Sequence, residues 1–270
     1  MQVFSRRFLQ VGVLVFLTLA LALSAQAAGF SNASLKGSYS FLTSLRTANG
    51  ATPQFAMVGV MTFDGAGNVT GSYTSVSDHA VQSGPLGGTY AVKANGTGAI
   101  NLTTPSAAQF AIVLNSTAAG VAQGVQLLRT DDTSNEVTSG TAVLQSTAAG
   151  KYTVASIKGN FALQYNPWTN DAGLPEDGGV GIFSFDGKGN IKGSVTIMFG
   201  GGKVGGPVKA TYNVNADGSG TVTGIGKHSL QIAFVLNSVA AGQAKGLQFL
   251  DTNTGDGSGN LVITGNALKQ

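Results

Sequence analysis

Hydrophobic and polar residues alternate along much of the chain, which is the pattern of β-strands. Phe161, Leu163 and Tyr165 alternate with polar or small neighbours, and the same two-residue period returns between Ile191 and Ile197. No segment after Ala27 carries a helical stripe of apolar residues. The pattern therefore predicts an all-β protein.

Short turn motifs separate the apolar runs. Asp64-Gly65 and Asn95-Gly96 lie between two such runs, as do Asp186-Gly187 and Asp217-Gly218 further along the chain. These dipeptides favour the tight turns of β-hairpins. The spacing predicts about eight strands in each half of the chain. In the first half we expect strands to start near Lys36, Gln54, Asn68, Gly87, Gly98, Ala108, Gly124 and Val137.

The chain contains the same module twice. A shift of 122 residues aligns Ala33–Gly37 with Ala155–Gly159 and Phe63–Asn68 with Phe185–Asn190, and it holds without a gap as far as Thr130. A repeat of this length indicates duplication of a whole domain rather than a short-period solenoid.

The duplication sets the predicted domain boundaries. We expect a signal peptide at 1–27, a first repeat at 28–145, a linker of small residues at 146–153 and a second repeat at 154–270. Near its end the second repeat gains three residues, around 255–259.

Successive antiparallel strands with short turns favour an up-and-down β-barrel, because closing the sheet removes its exposed edges. A β-sandwich is the alternative. Gly37–Tyr39, Asp64–Tyr73 and Gly87–Tyr90 together resemble the calycin group of barrels, which includes avidins and lipocalins. Avidins line their biotin pocket with several tryptophans, whereas this chain has only Trp168, so the resemblance does not extend to biotin binding. Over nearly the whole mature chain, the module also resembles a repeat of uncharacterised secreted proteins from soil acidobacteria, which implies no function.

The first residues read as a secretory signal. Arg6 and Arg7 precede an apolar run from Val11 to Leu23, and Ala25-Gln26-Ala27 supplies a cleavage site. The apolar run is short for a membrane-spanning helix. We therefore expect export to the periplasm or the exterior by general secretion, with twin-arginine export as the alternative, and no membrane span after cleavage.

Composition narrows the function classes. The chain has no cysteine, which excludes disulfides, thiolate nucleophiles and cysteine-bound zinc. Only 10% of the residues are charged, and two of the positive charges behind the net +3 belong to the signal peptide. No basic cluster follows Arg7, so we expect no nucleic-acid partner.

Catalytic and metal-binding patterns are weak. His79 and His228 fall at non-equivalent points of the two repeats, so neither marks a site inherited through the duplication. Asp64 and Asp186 are assigned to turn formation rather than to calcium binding. Neither a nucleophile elbow nor a pair of glycosidase carboxylates stands out. We therefore expect no enzyme activity, no metal and no cofactor.

One pattern survives this comparison of the repeats. Two neighbouring strands carry a mixed polar and apolar face whose eight residues are identical in both repeats, while the opposite apolar face has changed. We call this the retained face. In the first repeat it comprises Gln109, Ala111, Val113, Asn115, Gly124, Gln126, Leu128 and Thr130. In the second it comprises Gln231, Ala233, Val235, Asn237, Gly246, Gln248, Leu250 and Thr252.

Two interpretations of the retained face follow, and Gln109, Asn115, Gln126, Gln231, Asn237 and Gln248 are the candidate site residues of both. If the face points outward, it is a contact surface between modules or between chains. If it points inward, these side chains anchor a small apolar ligand in a cavity. Large apolar residues prefer the core, which favours the outward orientation.

The leading functional hypothesis is an exported, non-enzymatic structural or interaction protein, whose modules associate with each other or with other copies. A calycin-like small-molecule-binding protein is the alternative. A single outer-membrane barrel of about sixteen strands is a further one.

Overall fold

A computed structural model of the chain describes residues 29–47, 55–77, 80–132, 136–146, 151–168, 178–199, 202–225, 230–253 and 262–270. The first half forms eight strands: β1 (Lys36–Thr47), β2 (Phe55–Asp64), β3 (Asn68–Ser77), β4 (Ala80–Val92), β5 (Thr97–Thr104), β6 (Ala108–Ala118), β7 (Val121–Arg129) and β8 (Glu136–Ser146). The second half forms eight more: β9 (Gly159–Trp168), β10 (Gly178–Phe185), β11 (Asn190–Phe199), β12 (Gly202–Val214), β13 (Ser219–Ile225), β14 (Leu230–Asn237), β15 (Gly246–Asp251) and β16 (Val262–Lys269).

Each set of eight strands closes into its own barrel. Every strand pairs antiparallel with the next one, and the last strand of each set pairs with the first, β8 with β1 and β16 with β9. The predicted fold class of two tandem up-and-down barrels is therefore confirmed. The alternative of β-sandwiches is wrong, and so is that of a single barrel of about sixteen strands, because closure occurs after every eighth strand.

The two barrels have separate apolar cores made of alternate strand residues. In each core, three rings pack edge to face: Tyr39, Phe63 and Tyr90 in the first barrel, and Phe161, Phe185 and Tyr212 in the second. Ring centroids lie 5.0–5.4 Å apart, in the range of favourable aromatic pairs.

A short 3-10 turn precedes each barrel, at Asn32–Ser34 and Val154–Ser156. The Tyr90 hydroxyl donates to the Leu35 carbonyl at 2.8 Å, and the Tyr212 hydroxyl donates to the Ile157 carbonyl at 3.1 Å. Burial raises the pKa of Tyr90 to about 12, so its hydroxyl remains a donor at neutral pH. These bonds attach the turn to the end of each barrel.

The Asp-Gly turns are built by their carboxylates. Asp64 accepts backbone N–H bonds from Ala66, Gly67 and Asn68 at 2.7–3.0 Å. Asp186 accepts equivalent bonds from Lys188 and Asn190. The amide side chain and backbone of Asn190 lower the pKa of Asp186 to about 2, as such bonds favour the charged form. These hydrogen bonds agree with the turn-forming role that the sequence predicts for Asp64 and Asp186.

The largest difference from a predicted strand position is at β4. β4 begins at Ala80, seven residues before the expected start at Gly87, and it contains Pro85. Residues 80–86 pair only with β3, because the pairing with β5 begins at Gly87. A proline, which lacks an N–H, is tolerated where a strand has a partner on one side only.

Candidate functional site: the contact between the barrels

The retained face points outward in both barrels. Along β6, Phe110, Ile112 and Leu114 are buried in the first barrel, whereas the alternate residues of the retained face are exposed. Gln109, Asn115 and Gln126 are exposed on the outer surface. They therefore lie outside the barrel interior, and the interpretation of these residues as anchors in an internal cavity does not match their position.

In the second barrel the same face is buried, because it packs against the first barrel. Both faces of β14 are buried from Ile232 to Asn237, and β15 is buried from Gly246 to Leu250. The apolar members Ala233, Val235 and Leu250 form a separate cluster with residues of the first barrel. Val262 of β16 belongs to the same cluster and extends the retained face by one residue.

The surface that receives this face lies on β1, β2 and β3 of the first barrel. We call it the receiving face. Four small or β-branched residues and one leucine supply its apolar part: Leu42, Ala56, Val58, Val60 and Val76. Val58 and Val60 are each only 2% exposed, although both point away from the core of their own barrel. These residues form a closely packed apolar layer between two closed sheets, and a pocket of about 770 Å³ that Ser72 and Asp217 help to line opens beside it.

Polar contacts fix the position of one barrel on the other. The Ser72 hydroxyl donates to the Asp217 carboxylate at 2.7 Å. The Gln145 amide donates to the Leu236 carbonyl at 2.7 Å. Because each pair joins one barrel to the other, both restrict rotation of the barrels.

Gln248 and Asn237, two of the candidate residues, lie in the contact. The Gln248 amide donates to the Thr141 hydroxyl of β8 at 3.1 Å, and Gln248 is buried. Asn237 is buried as well. Gln231 remains exposed at the edge of the face. The structure thus brings two of the six candidates into the contact, and it leaves the other four at the surface.

The end of β8 takes part in the contact through its backbone. The N–H groups of Ser238 and Val239 donate to the carbonyls of Leu144 and Gln145 at 3.0 and 2.9 Å. These bonds occupy the end of β14, where the first barrel instead continues its β6–β7 hairpin as far as Ala118 and Val121. The hairpin of the second barrel therefore differs from that of the first where it meets β8.

Packing within each barrel gives a second reason why some residues of the retained face are identical in the two repeats. Asn115 lies opposite Gly124 across β6 and β7, and Asn237 lies opposite Gly246 across β14 and β15. A Cβ atom added to either glycine would collide with the side chain of the facing asparagine. The Asn–Gly pairs are therefore retained by packing within each barrel, independently of docking.

Sequence comparison did not find the polar partners of the contact. The sequence assigns Asp217 to a turn and Ser72 to a strand motif, and it gives no role to Thr141 or Gln145, so none of the four was identified as a contact residue. A different signal was present for the receiving face, since β2 is apolar almost throughout from Phe55 to Phe63. A continuous apolar run is typical of a strand that is buried on both faces.

The first barrel also holds a cavity of about 260 Å³. Among its lining residues are the polar side chains Thr43, Ser75, Gln82 and Thr138, with Arg129 at its wall. The Thr138 hydroxyl is buried and has no hydrogen-bond partner. This polar set is not duplicated, because the second repeat carries Tyr165, Ile197, Val204 and Ile263 at the equivalent positions of the four polar residues.

Charged residues at this end of the first barrel pair with each other. The Arg129 guanidinium donates to Asp131 at 2.8 Å. Burial opposes ionisation of Asp131, but the bond from Arg129 outweighs it, and the pKa of Asp131 is lowered. Arg129 thus lines the cavity with its charge already partly balanced.

Other sequence predictions concern residues outside the described part of the chain. His79, His228 and the predicted signal peptide lie there. Within the described residues, no three histidine or acidic side chains gather as metal ligands would. The same residues contain no helix with the length and hydrophobicity of a membrane span.

Comparison with known proteins gives no family. No family model and no curated protein sequence matches the chain. Among solved structures, a DUF3598-family protein of unknown function from Nostoc punctiforme aligns with 88% of this chain and 98% of its own, at 11% identity and a TM-score of 0.28. Kievitone hydratase from Nectria haematococca aligns with 88% of this chain and 91% of its own, at 7% identity and a TM-score of 0.28. Similarity this low carries no functional argument.

Proposed function

We propose that this protein is an exported, non-enzymatic structural or interaction protein in which the retained face of the module is a docking surface. The observation that carries this proposal is the contact between the barrels, in which Val235 and Leu250 are at most 1% exposed. The identical residues of the first barrel, Val113 and Leu128, are 49% and 46% exposed. One copy of the face is therefore occupied and the other is free.

The free copy has the character of a binding surface. Single exposed apolar residues are common on proteins, but here several stand together on neighbouring strands. Val113 and Leu128 are joined by Val137, the counterpart of buried Val262. Polar residues such as Gln126 surround them, as the rim of a protein interface requires.

Substitution of one valine in each copy tests the docking role. Val235→Asp places a carboxylate in the apolar layer of the contact, where desolvation of the charge is costly. We expect the barrels to separate, with a larger radius of gyration in small-angle X-ray scattering at low protein concentration and an unchanged circular dichroism spectrum. Val113→Asp is the matched control and should scatter like the unmodified chain. If the unmodified chain already scatters as two separate barrels, the docking role is wrong.

The cavity of the first barrel supports a second candidate, binding of a small apolar molecule. Its volume of about 260 Å³ and the unpartnered Thr138 hydroxyl favour this function, since ligand sites combine an apolar wall with a few polar groups. The fluorescent probe 8-anilinonaphthalene-1-sulfonate tests it. Ala108→Phe fills the cavity and should abolish the enhanced fluorescence, whereas Ala111→Phe, on the outer side of the same strand, should not. Equal fluorescence in both variants would assign the probe to the surface.

A further inference from the structure

The contact between the barrels is asymmetric, so it leaves two unused surfaces. The second barrel contributes its retained face and the first barrel contributes its receiving face. The retained face of the first barrel and the receiving face of the second are therefore both free. Contacts of this heterologous kind can repeat from one copy to the next, unlike a two-fold contact that closes on itself.

The free receiving face lies on β9, β10 and β11. Its residues, at positions equivalent to those of the occupied receiving face, are Gln164, Gly178, Val180, Ile182 and Met198. Val180, Ile182 and Met198 are 43–56% exposed, whereas their counterparts Val58, Val60 and Val76 are at most 6% exposed. These three positions thus remain apolar although no part of the chain that the structure describes buries them.

The opposite surface is maintained more closely. Four apolar residues of the docked second barrel, Ala233, Val235, Leu250 and Val262, correspond to Ala111, Val113, Leu128 and Val137 in the first. Each pair is identical in type. All four residues of the first barrel are exposed.

The polar contacts also have compatible counterparts. Ser72 with Asp217 becomes Ser194 with Asn95. The Asn95 Oδ1 already accepts from the Thr97 backbone N–H and hydroxyl, so its Nδ2 is left to donate to the Ser194 hydroxyl oxygen. Thr141 with Gln248 becomes Asn266 with Gln126, in which the glutamine amide still has an oxygen to bind. Ser194, Asn95, Asn266 and Gln126 are all exposed.

We infer that the free retained face of one chain docks on the free receiving face of a second chain, so that the protein assembles head to tail through repeated copies of its internal contact. This inference rests on the docking role proposed above and names the partner as a second copy of this chain. Each added chain presents the same two free surfaces again, so the assembly grows into an open filament or closes into a ring.

The contact between chains is weaker than the one within a chain. A short linker holds the barrels of one chain at an effective concentration on the order of millimolar, an advantage that two separate chains lack. Gln164 also replaces Leu42, and Gly178 replaces Ala56, which removes apolar surface from one end of the receiving face. Assembly therefore depends on protein concentration, and we expect it as the concentration approaches about 1 mM.

Cysteine cross-linking tests the register of the contact, because the chain has no cysteine of its own. Asn95→Cys with Ser194→Cys, treated with a short bismaleimide, should give a ladder of covalent multimers on a denaturing gel, which fades on dilution. Asp217→Cys with Ser72→Cys is the matched control and should give an internal cross-link at every concentration. Adding Val113→Asp to the first pair should remove the ladder.

The two cross-links separate failure of this inference from failure of the docking role. An internal cross-link without a ladder at about 1 mM protein overturns head-to-tail assembly and leaves the docking role intact. If the internal cross-link also fails to form in a folded chain, the docking role itself is wrong.

A mixing experiment tests the head-to-tail geometry without cysteines. Val113→Asp blocks the free retained face and Ile182→Asp blocks the free receiving face, so each variant alone should sediment as a monomer where the unmodified chain associates. An equimolar mixture should form a dimer of the two variants and stop there. If Ile182→Asp still associates with itself, the contact is a two-fold one and the head-to-tail geometry is overturned.

Discussion

The two retained faces have the same residues and opposite surroundings. In the second barrel the face is covered by the first barrel, and in the first barrel it faces solvent. Burial is therefore not a property of the face itself, because identical side chains on equivalent strands show both outcomes. What differs is the presence of a receiving surface, which only one of the two faces meets within the chain.

The structure shows two different reasons why residues are identical in the two retained faces. Asn115 and Gly124 fit each other within one barrel, and their identity to Asn237 and Gly246 needs no partner. Val113 and Leu128 have no such internal reason, since they lie exposed on the outer surface. Substitutions at residues of the first kind should affect both barrels, more strongly where the asparagine is buried. Substitutions at residues of the second kind should affect the docked barrel alone.

The largest expected difference is between Leu250→Ala and Leu128→Ala. Leu250 is fully buried in the contact, so its truncation should cost about 2–4 kcal/mol, up to the point at which the barrels separate. Leu128→Ala removes an exposed side chain and should change stability by less than about 0.5 kcal/mol in dilute solution. Chemical denaturation of both variants measures the difference. Equal losses would mean that Leu128 is also buried in solution.

A smaller effect is expected at the glycines. Gly246→Ala forces a Cβ atom into the side chain of Asn237, which is buried and cannot turn aside, so the overpacking should cost about 1–3 kcal/mol. Gly124→Ala meets the end of the Asn115 side chain, which is exposed and can move, so the cost should stay below about 1 kcal/mol. Thermal unfolding measures both losses, and adding Asn237→Ala to Gly246→Ala removes the collision and should restore part of the stability. Equal losses in the two glycine variants would mean that Asn115 is held as firmly as Asn237.

The fold could be predicted from the sequence because its determinants are local and repeated. The two-residue period and the Asp-Gly turns located most strands, and the shift of 122 residues showed that the pattern occurs twice. The start of β4 was predicted too late, since Gly84, Pro85 and Gly87 resemble a turn. These residues fit in a strand because the segment before Gly87 pairs with β3 only, and this one-sided pairing depends on tertiary structure.

The sequence alone located only one of the two surfaces of the docking contact, the retained face. Identity between the repeats located the retained face. The receiving face differs between the repeats, for example Val60 against Ile182, so a search for identical residues could not find it. The pairing of Ser72 with Asp217 joins strands of different barrels, and no periodicity within either strand predicts such a contact.

The smallest expected effect is the pH dependence of docking. Burial opposes ionisation of Asp217, but bonds from the Ser219 and Ser72 hydroxyls outweigh it, and the pKa of Asp217 is lowered. A carboxylate with a lowered pKa stabilises the folded arrangement above its ordinary pKa of about 3.9, and this stabilisation is lost as the pH falls through the lowered value. Since Asp217 is only half-buried, we expect docking to weaken by about 0.5 kcal/mol or less in acid.

Scattering between pH 6 and pH 2.5 tests this effect in the Val235→Ala variant, where weaker docking makes small changes visible. Acid should increase the radius of gyration, and Asp217→Asn should remove that increase. The oxygen of the uncharged amide still accepts from Ser219 and its nitrogen donates to the Ser72 hydroxyl, at every pH. Asp186→Asn is the control, since that residue lies in a turn of the second barrel, and it should leave the acid response of docking unchanged. A response that persists in Asp217→Asn would mean that the acid sensitivity arises within the barrels and not from the bond between Asp217 and Ser72.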